Sequence, residues 1–178
     1  MATRASSGPV AVFDPQGLAA GLPSSLRWSP VRGCERAQTA MIRAWALCAD
    51  AGQGRESGSF WRQQTVTAVR CLLHAAALGG RSPADLYRWS LTPGAAKEAV
   101  DILVDAPRAA LAWDQALDAI IAADSRQRDS VWAMVANALA ALADPHVLAA
   151  VSPSADQSFD PAPFLRQRGT LYLLGTAA

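Results

Sequence analysis

Asp114 and Asp118, one helical turn apart, come nearest in this sequence to a spacing that could do chemistry. Carboxylates at i and i+4 share a helix face, where they can hold a divalent ion or divide acid and base roles. Such a pair needs a third ligand or a second carboxylate motif, and its neighbourhood carries no histidine and no glycine-rich loop. It reads as a solvated face. His74 and His146 stand far apart and neither neighbours a nucleophile, so His74 is expected to face solvent. Cys34, Cys48 and Cys71 are odd in number and lack metal or redox spacing, which points to reduced thiols packed as small apolar groups. Gly52-Gln53-Gly54 is not a phosphate loop, because no Gly-Lys-Ser/Thr follows. The residues by themselves point to no catalytic set, no metal site and no bound cofactor.

A contact surface is the alternative. Gln63, Thr67, Arg70 and His74 recur at helical spacing, with Arg62 and Arg55 flanking them. Their donors suit phosphate oxygens or an acidic peptide. Charge is also segregated: five arginines lie between Arg55 and Arg88 against Glu56 and Asp85, and six acids lie between Lys97 and Asp124 against two cations. The net charge of only +1 argues against a generally basic wrapper of nucleic acid. With 51% apolar and 17% charged residues, the composition is that of a globular protein rather than a disordered one. No run reaches the roughly 18 apolar residues of a membrane span, and no signal-peptide core opens the sequence. A cytosolic setting is the expectation.

The elements that must position these residues are mostly helical. Short strand signals stand at the two ends, Gly8–Pro15 and Arg168–Gly175, and a lone strand cannot satisfy its own backbone groups. They should pair with each other or with a neighbouring copy. Between them, helices are predicted over 35–50 (apolar side Met41, Ile42, Trp45 and Leu47) and 59–78 (apolar face Trp61, Thr65, Ala68, Leu72 and Ala76, with the Arg70 strip opposite). Ser82-Pro83, Thr92-Pro93 and Asp105-Ala106-Pro107 each look like a cap followed by proline at the first position, opening helices to about Trp89, Val104 and Ala123. Asp124 or Ser125 caps a helix to about Ala143 that buries Val131, Trp132, Val135, Leu139 and Leu142, and Asp144-Pro145 and Asp160-Pro161 open short ones. Trp45, Trp61, Trp89, Trp113 and Trp132 are expected in the core, whereas Trp28 sits in a loop where it can cover a neighbouring domain. The fold class is therefore mainly α: a helical bundle with short β segments at both ends, left as stubs of an α/β parent sheet.

The order of motifs resembles the cytoplasmic part of type IV secretion coupling proteins of the TraG/VirD4 class, over most of the chain. Val10-Ala11-Val12-Phe13-Asp14-Pro15-Gln16-Gly17 is similar to the family's strand ending in Asp-Pro-Lys-Gly, with Gln16 where lysine is usual. Arg27-Trp28-Ser29-Pro30-Val31 resembles its Asn-Pro-Leu segment, with Ser29 in place of asparagine. Gly58-Ser59-Phe60-Trp61 looks like the Phe-Trp start of the first long helix of the family's all-α domain. Arg128-Asp129-Ser130-Val131-Trp132 and Leu142-Ala143-Asp144-Pro145 resemble its later helix and the Asp-Pro that ends it. Phe159-Asp160-Pro161, then Arg168-Gly169-Thr170-Leu171-Tyr172-Leu173, resembles the return to the motor's sheet. The departures look like those of an actinobacterial branch, and fifteen arginines against the single Lys97, with abundant alanine, point to a GC-rich bacterial genome.

The resemblance implies a three-part organisation: 1–33 a strand stub and loop of a RecA-like ATPase, 34–150 the all-α domain, and 151–178 a linker, short helix and returning strand. It implies recognition of relaxase–DNA complexes or effector proteins, for which the helix face read above, Arg62, Gln63, Thr67, Arg70 and His74, is the candidate partner-binding surface. The parent would be a hexameric ATPase using ATP and magnesium at the bacterial cytoplasmic membrane. This stretch contains no Gly-x-x-x-x-Gly-Lys-Ser/Thr before residue 10 and no acidic Walker B end after Leu174, so it is expected not to be an enzyme by itself. Two rivals remain: a module binding single-stranded DNA directly, and a metal-dependent helical hydrolase built on Asp114 and Asp118.

Overall fold

Val10-Ala11-Val12-Phe13 and Thr170-Leu171-Tyr172-Leu173 form β1 and β2, a parallel pair in the register Val10 with Thr170 through Phe13 with Leu173. The computed structural model describes residues 8–19, 21, 24, 26–49, 58–154 and 156–175. Arg55 and the Gly52–Gly54 turn lie outside them. Among the described residues there are eight α-helices and these two strands.

The helices are α1 (Ala37–Leu47), α2 (Gly58–Leu78), α3 (Pro83–Leu91), α4 (Lys97–Asp105), α5 (Trp113–Ala122), α6 (Ser125–Ala138), α7 (Pro145–Ala150) and α8 (Pro161–Arg166). A single 3₁₀ turn, Ala140–Ala143, follows α6. By packing, the chain falls into two units. One is Pro30–Ala143, and the other is built from the two ends, up to Ser29 and from Asp144 onward. Helix α7, which the sequence reading placed with the all-α stretch, belongs to the unit of the ends.

In the helical unit, α2 is the axle: α1, α3, α4, α5 and α6 all pack against it. At 21 residues it is about 31 Å long. From Thr65 to Ala76 nearly every residue is buried, including Val66, Val69, Cys71, Leu73 and Ala75 as well as the expected Thr65, Ala68, Leu72 and Ala76. A helix enclosed on most sides has no broad polar face. It ends where Gly80, at φ 61°, lets Arg81 N–H reach the Ala76 carbonyl at 2.7 Å and Gly80 N–H reach that of Ala77.

Helix α1 corrects the sequence reading outright. Its buried positions are Ala40 and Ala44, followed by Cys48, whereas Met41, Ile42, Trp45 and Leu47 are exposed, Ile42 by 62%. Small residues at i, i+4 and i+8 let α1 approach α2 closely, and the large side chains are left outside. Three tryptophans, Trp89, Trp113 and Trp132, are buried as expected; Trp45 is not, and Trp61 is only half-buried.

Two predicted starts fall later in the chain. Thr92 caps a turn through Ala95 N–H, but residues 93–96 make i to i+3 bonds and α4 begins at Lys97. Asp105 is the last residue of α4, and residues 107–112 turn before α5 begins at Trp113. Proline favours a first helical turn but cannot compel it when the chain must change direction. Ser82 with Asp85 forms a complete capping box, and Asp124 accepts from the Arg126 and Gln127 amides.

In the unit of the ends, Gly8 passes so close to the turn before β2 that a Cβ would stand 2.7 Å from the Gln167 and Arg168 carbonyl oxygens. Only glycine fits there. Arg27 makes a parallel bridge to Ser158, with Phe159 N–H donating to the Arg27 carbonyl at 2.9 Å. Asp144 and Asp160 cap α7 and α8 through the His146 and Ala162 amides.

Candidate functional site

The strip Gln63, Thr67, Arg70 and His74 runs along α2, and the structure grades it from outside to inside. Gln63 is exposed, Thr67 and Arg70 are half-buried, and His74 is 1% exposed. His74 is thus no solvent-facing residue. Its Nε2 lies 3.1 Å from the Ala110 amide, which can only donate, so Nε2 accepts. The proton therefore sits on Nδ1, which donates to the Cys34 carbonyl at 2.7 Å. One ring pins the chain before α1 and the turn before α5 to the central helix. Enclosed and doubly bonded, His74 cannot meet a partner, and it leaves the partner-binding set.

Trp113, the first residue of α5, gathers the rest of the site. The His74 ring stands edge-on to it, centroids 5.0 Å apart at 68°. The Arg70 guanidinium lies over its face, Cζ 4.8 Å from the ring centroid. Arg70 Nε is shut off from solvent and has no hydrogen-bond partner. Behind it, burial pushes the Cys71 thiol up to about 11, partly opposed by the Arg70 charge. Burial likewise raises Cys48 to about 11 and raises Cys34, so these thiols are held protonated as packing groups.

Arg62 sits elsewhere. Its guanidinium lies over the exposed Trp45 ring of α1 at 5.6 Å, and neighbouring Phe60 and Trp61 meet edge to face at 5.2 Å. The structure therefore splits the expected face into two aromatic–arginine stations, Arg62 on Trp45 and Arg70 on Trp113. Gln63 and Thr67 are the polar residues of the strip between the two arginines. Sequence reasoning missed both aromatic partners because it assigned Trp45 and Trp113 wholly to the core. The unused signal was the Ala40, Ala44, Cys48 series, which already offered α1 a small-residue packing face.

Asp118 is exposed and Asp114 half-buried, and no group of three His, Cys, Asp or Glu residues that could hold a metal occurs among the described residues. His146 is exposed and lies in the unit of the ends, beside Asp14 and Arg27 around a small cavity of about 220 Å³. The Asp14 carboxylate there accepts from the Ala19 amide at 2.9 Å and the Leu18 amide at 3.0 Å, and these bonds hold it below the usual carboxylate range. Its role is to close the turn after β1, leaving Gln16 exposed. No described helix is long and apolar enough to cross a membrane. No protein-family model, no curated protein and no solved structure matches the chain.

Proposed function

We propose that this chain is the all-α, cargo-recognition part of a TraG/VirD4-class coupling ATPase, carrying two strands of the motor's sheet. The observation that carries the reading is the parallel pairing of β1 with β2. A helical excursion that leaves one strand and returns beside it in parallel is how an insert in an α/β sheet must be wired. Parallel sheets are stable when several strands are covered on both faces. Here two strands of four residues stand together, with Leu173 71% exposed. An apolar cavity of about 520 Å³ opens beside them, lined by Phe13, Trp28, Leu171 and Leu173 among others. Both features suit strands that continue into a larger sheet.

On this reading the helical unit docks relaxase–DNA or effector protein, and its open polar stations, Arg62, Gln63, Thr67 and Arg70, are the contact residues. ATP and magnesium belong to the motor segments of the parent, at the bacterial cytoplasmic membrane. Calorimetry of this chain with ATP and magnesium should give no binding heat. The deciding observation is the gene around this segment: a Walker A motif upstream and a Walker B motif downstream are expected, and their absence overturns the assignment. Saturable binding of the purified chain to the relaxase or effector encoded beside it is the biochemical counterpart.

A further inference from the structure

We propose that the Arg70 guanidinium, seated on the face of Trp113, is a receptor for a carboxylate carried by an acidic segment of the protein partner. The inference rests on the docking reading for the partner's existence and adds the partner's chemistry.

A guanidinium has five N–H donors in a rigid fork. Four arginines of the helical unit have that capacity committed: Arg81 and Arg88 share Glu98, Arg128 pairs with Asp129, and Arg43 bonds the Pro30 and Arg32 carbonyls. Arg70 forms no ion pair with any described residue, and its Nε is already out of water without an acceptor. The guanidinium is thus partly stripped of its hydration, with the Cys71 thiol beside it and no carboxylate of a described residue at ion-pair distance. Its seat is rigid, because Trp113 is buried and braced by His74, itself tied at both ring nitrogens. A fork held this way loses little freedom when an anion arrives. Thr67, one turn back along α2, is a half-buried hydroxyl residue of the same strip.

The chemistry favours a carboxylate over a nucleic-acid backbone. A planar fork matches two carboxylate oxygens at once. A polyphosphate instead needs a row of cations. Only Arg62 accompanies Arg70 on α2, eight residues and about 12 Å away along the axis, with uncharged side chains between them. The two cations of α2, each on an aromatic ring, suit a segment with a few spaced acids and apolar residues among them.

The test follows the arginine Nε–H signals of the ¹⁵N-labelled chain by NMR. The probe is a synthetic helical peptide with glutamates two turns apart and leucines between. The controls are its glutamine counterpart, inorganic phosphate and an oligothymidylate. The Arg70 signal should shift saturably with the glutamate peptide and stay still with the glutamine one. Arg70→Lys, which keeps the charge but removes the fork, should weaken the peptide by about tenfold. A silent Arg70 signal overturns the proposal. So does tighter binding of oligothymidylate than of peptide, or of phosphate alone at the peptide's affinity. The wild-type signal decides even if a variant fails to fold. Peptide capture at Arg70 with relaxase or effector binding unchanged in Arg70→Lys upholds the carboxylate site and overturns the cargo reading. Cargo binding by a chain whose Arg70 ignores the peptide does the reverse.

Discussion

His74 Nδ1 donates to the carbonyl oxygen of Cys34 across 2.7 Å, joining residues forty positions apart inside the helical unit. Replacing His74 by alanine strands that carbonyl and the Ala110 amide, and each buried polar group left unpaired costs about 1–3 kcal/mol. A loss of roughly 2–5 kcal/mol is expected in urea unfolding, cavity included. His74→Phe, which fills the space and restores neither bond, should recover only part of it. Wild-type stability in either variant removes the pinning role assigned to His74.

The tryptophans should divide sharply. Trp89 is fully buried, and its carbonyl accepts from Trp132 Nε1 at 3.3 Å, so either Trp→Ala change opens a large core cavity costing about 3–5 kcal/mol. Trp45→Ala removes a ring that is 46% exposed and should cost under about 1 kcal/mol. Thermal melts of the three variants check the order. Equal losses at Trp45 and Trp89 contradict the exposed face of α1.

Glu98 ties α3 to α4: its carboxylate accepts from Arg88 at 2.5 Å, from Trp89 Nε1 at 3.0 Å and from Arg81 at 3.0 Å. The Arg88 bond, then the Trp89 bond, holds it below its usual value of 4.5. A carboxyl depressed on folding contributes stability that is whole above about pH 4.5 and is lost as pH falls through the folded value. Glu98→Gln should flatten that acid limb while costing little near neutrality, where exposed ion pairs contribute about 0–1 kcal/mol. Denaturant melts between pH 3 and pH 7 test the sign.

Ala112 occupies the left-handed region at φ 62° just before α5. That conformation costs an L-residue roughly 1–2 kcal/mol, so Ala112→Gly should leave the fold intact and raise stability by about 0.5–1 kcal/mol after the extra unfolded-state entropy of glycine. Ala112→Val should lower it. The pair of melting temperatures, moving in opposite directions, is the check.

Charge reversal separates docking from folding. Arg62 and Arg70 each lie over a ring and form no ion pair with described residues, so Arg62→Glu with Arg70→Glu should lower stability by no more than about 1–2 kcal/mol from the two lost cation–π contacts. If the proposed coupling-protein reading holds, a parent ATPase carrying both changes should keep near-normal expression and ATPase activity while cargo transfer falls steeply through like-charge contact. Unchanged transfer moves the docking site away from α2, and the Lys97–Asp124 side becomes the next surface to test.

The sequence by itself determined the elements whose signals are local. Ser82 with Asp85, Asp124, Asp144-Pro145 and Asp160-Pro161 mark helix starts because a cap is a contact within three residues. Gly79-Gly80 marks an end because positive φ is a property of one residue. The end strands were legible from their apolar runs, and their need for partners followed from unpaired backbone groups. Only the tertiary structure decided which faces those helices bury. A period of 3.6 shows that a helix has sides, but α2 is enclosed by five neighbours, so His74, polar by type, became a core crosslink. On α1 the alanine series, not the larger residues, faced inward, because close approach of two helices favours small side chains over hydrophobic ones. The stacking of Arg70 on Trp113 joins residues forty-three apart, a distance in sequence that no local spacing rule spans, and it exists only because α5 packs on α2.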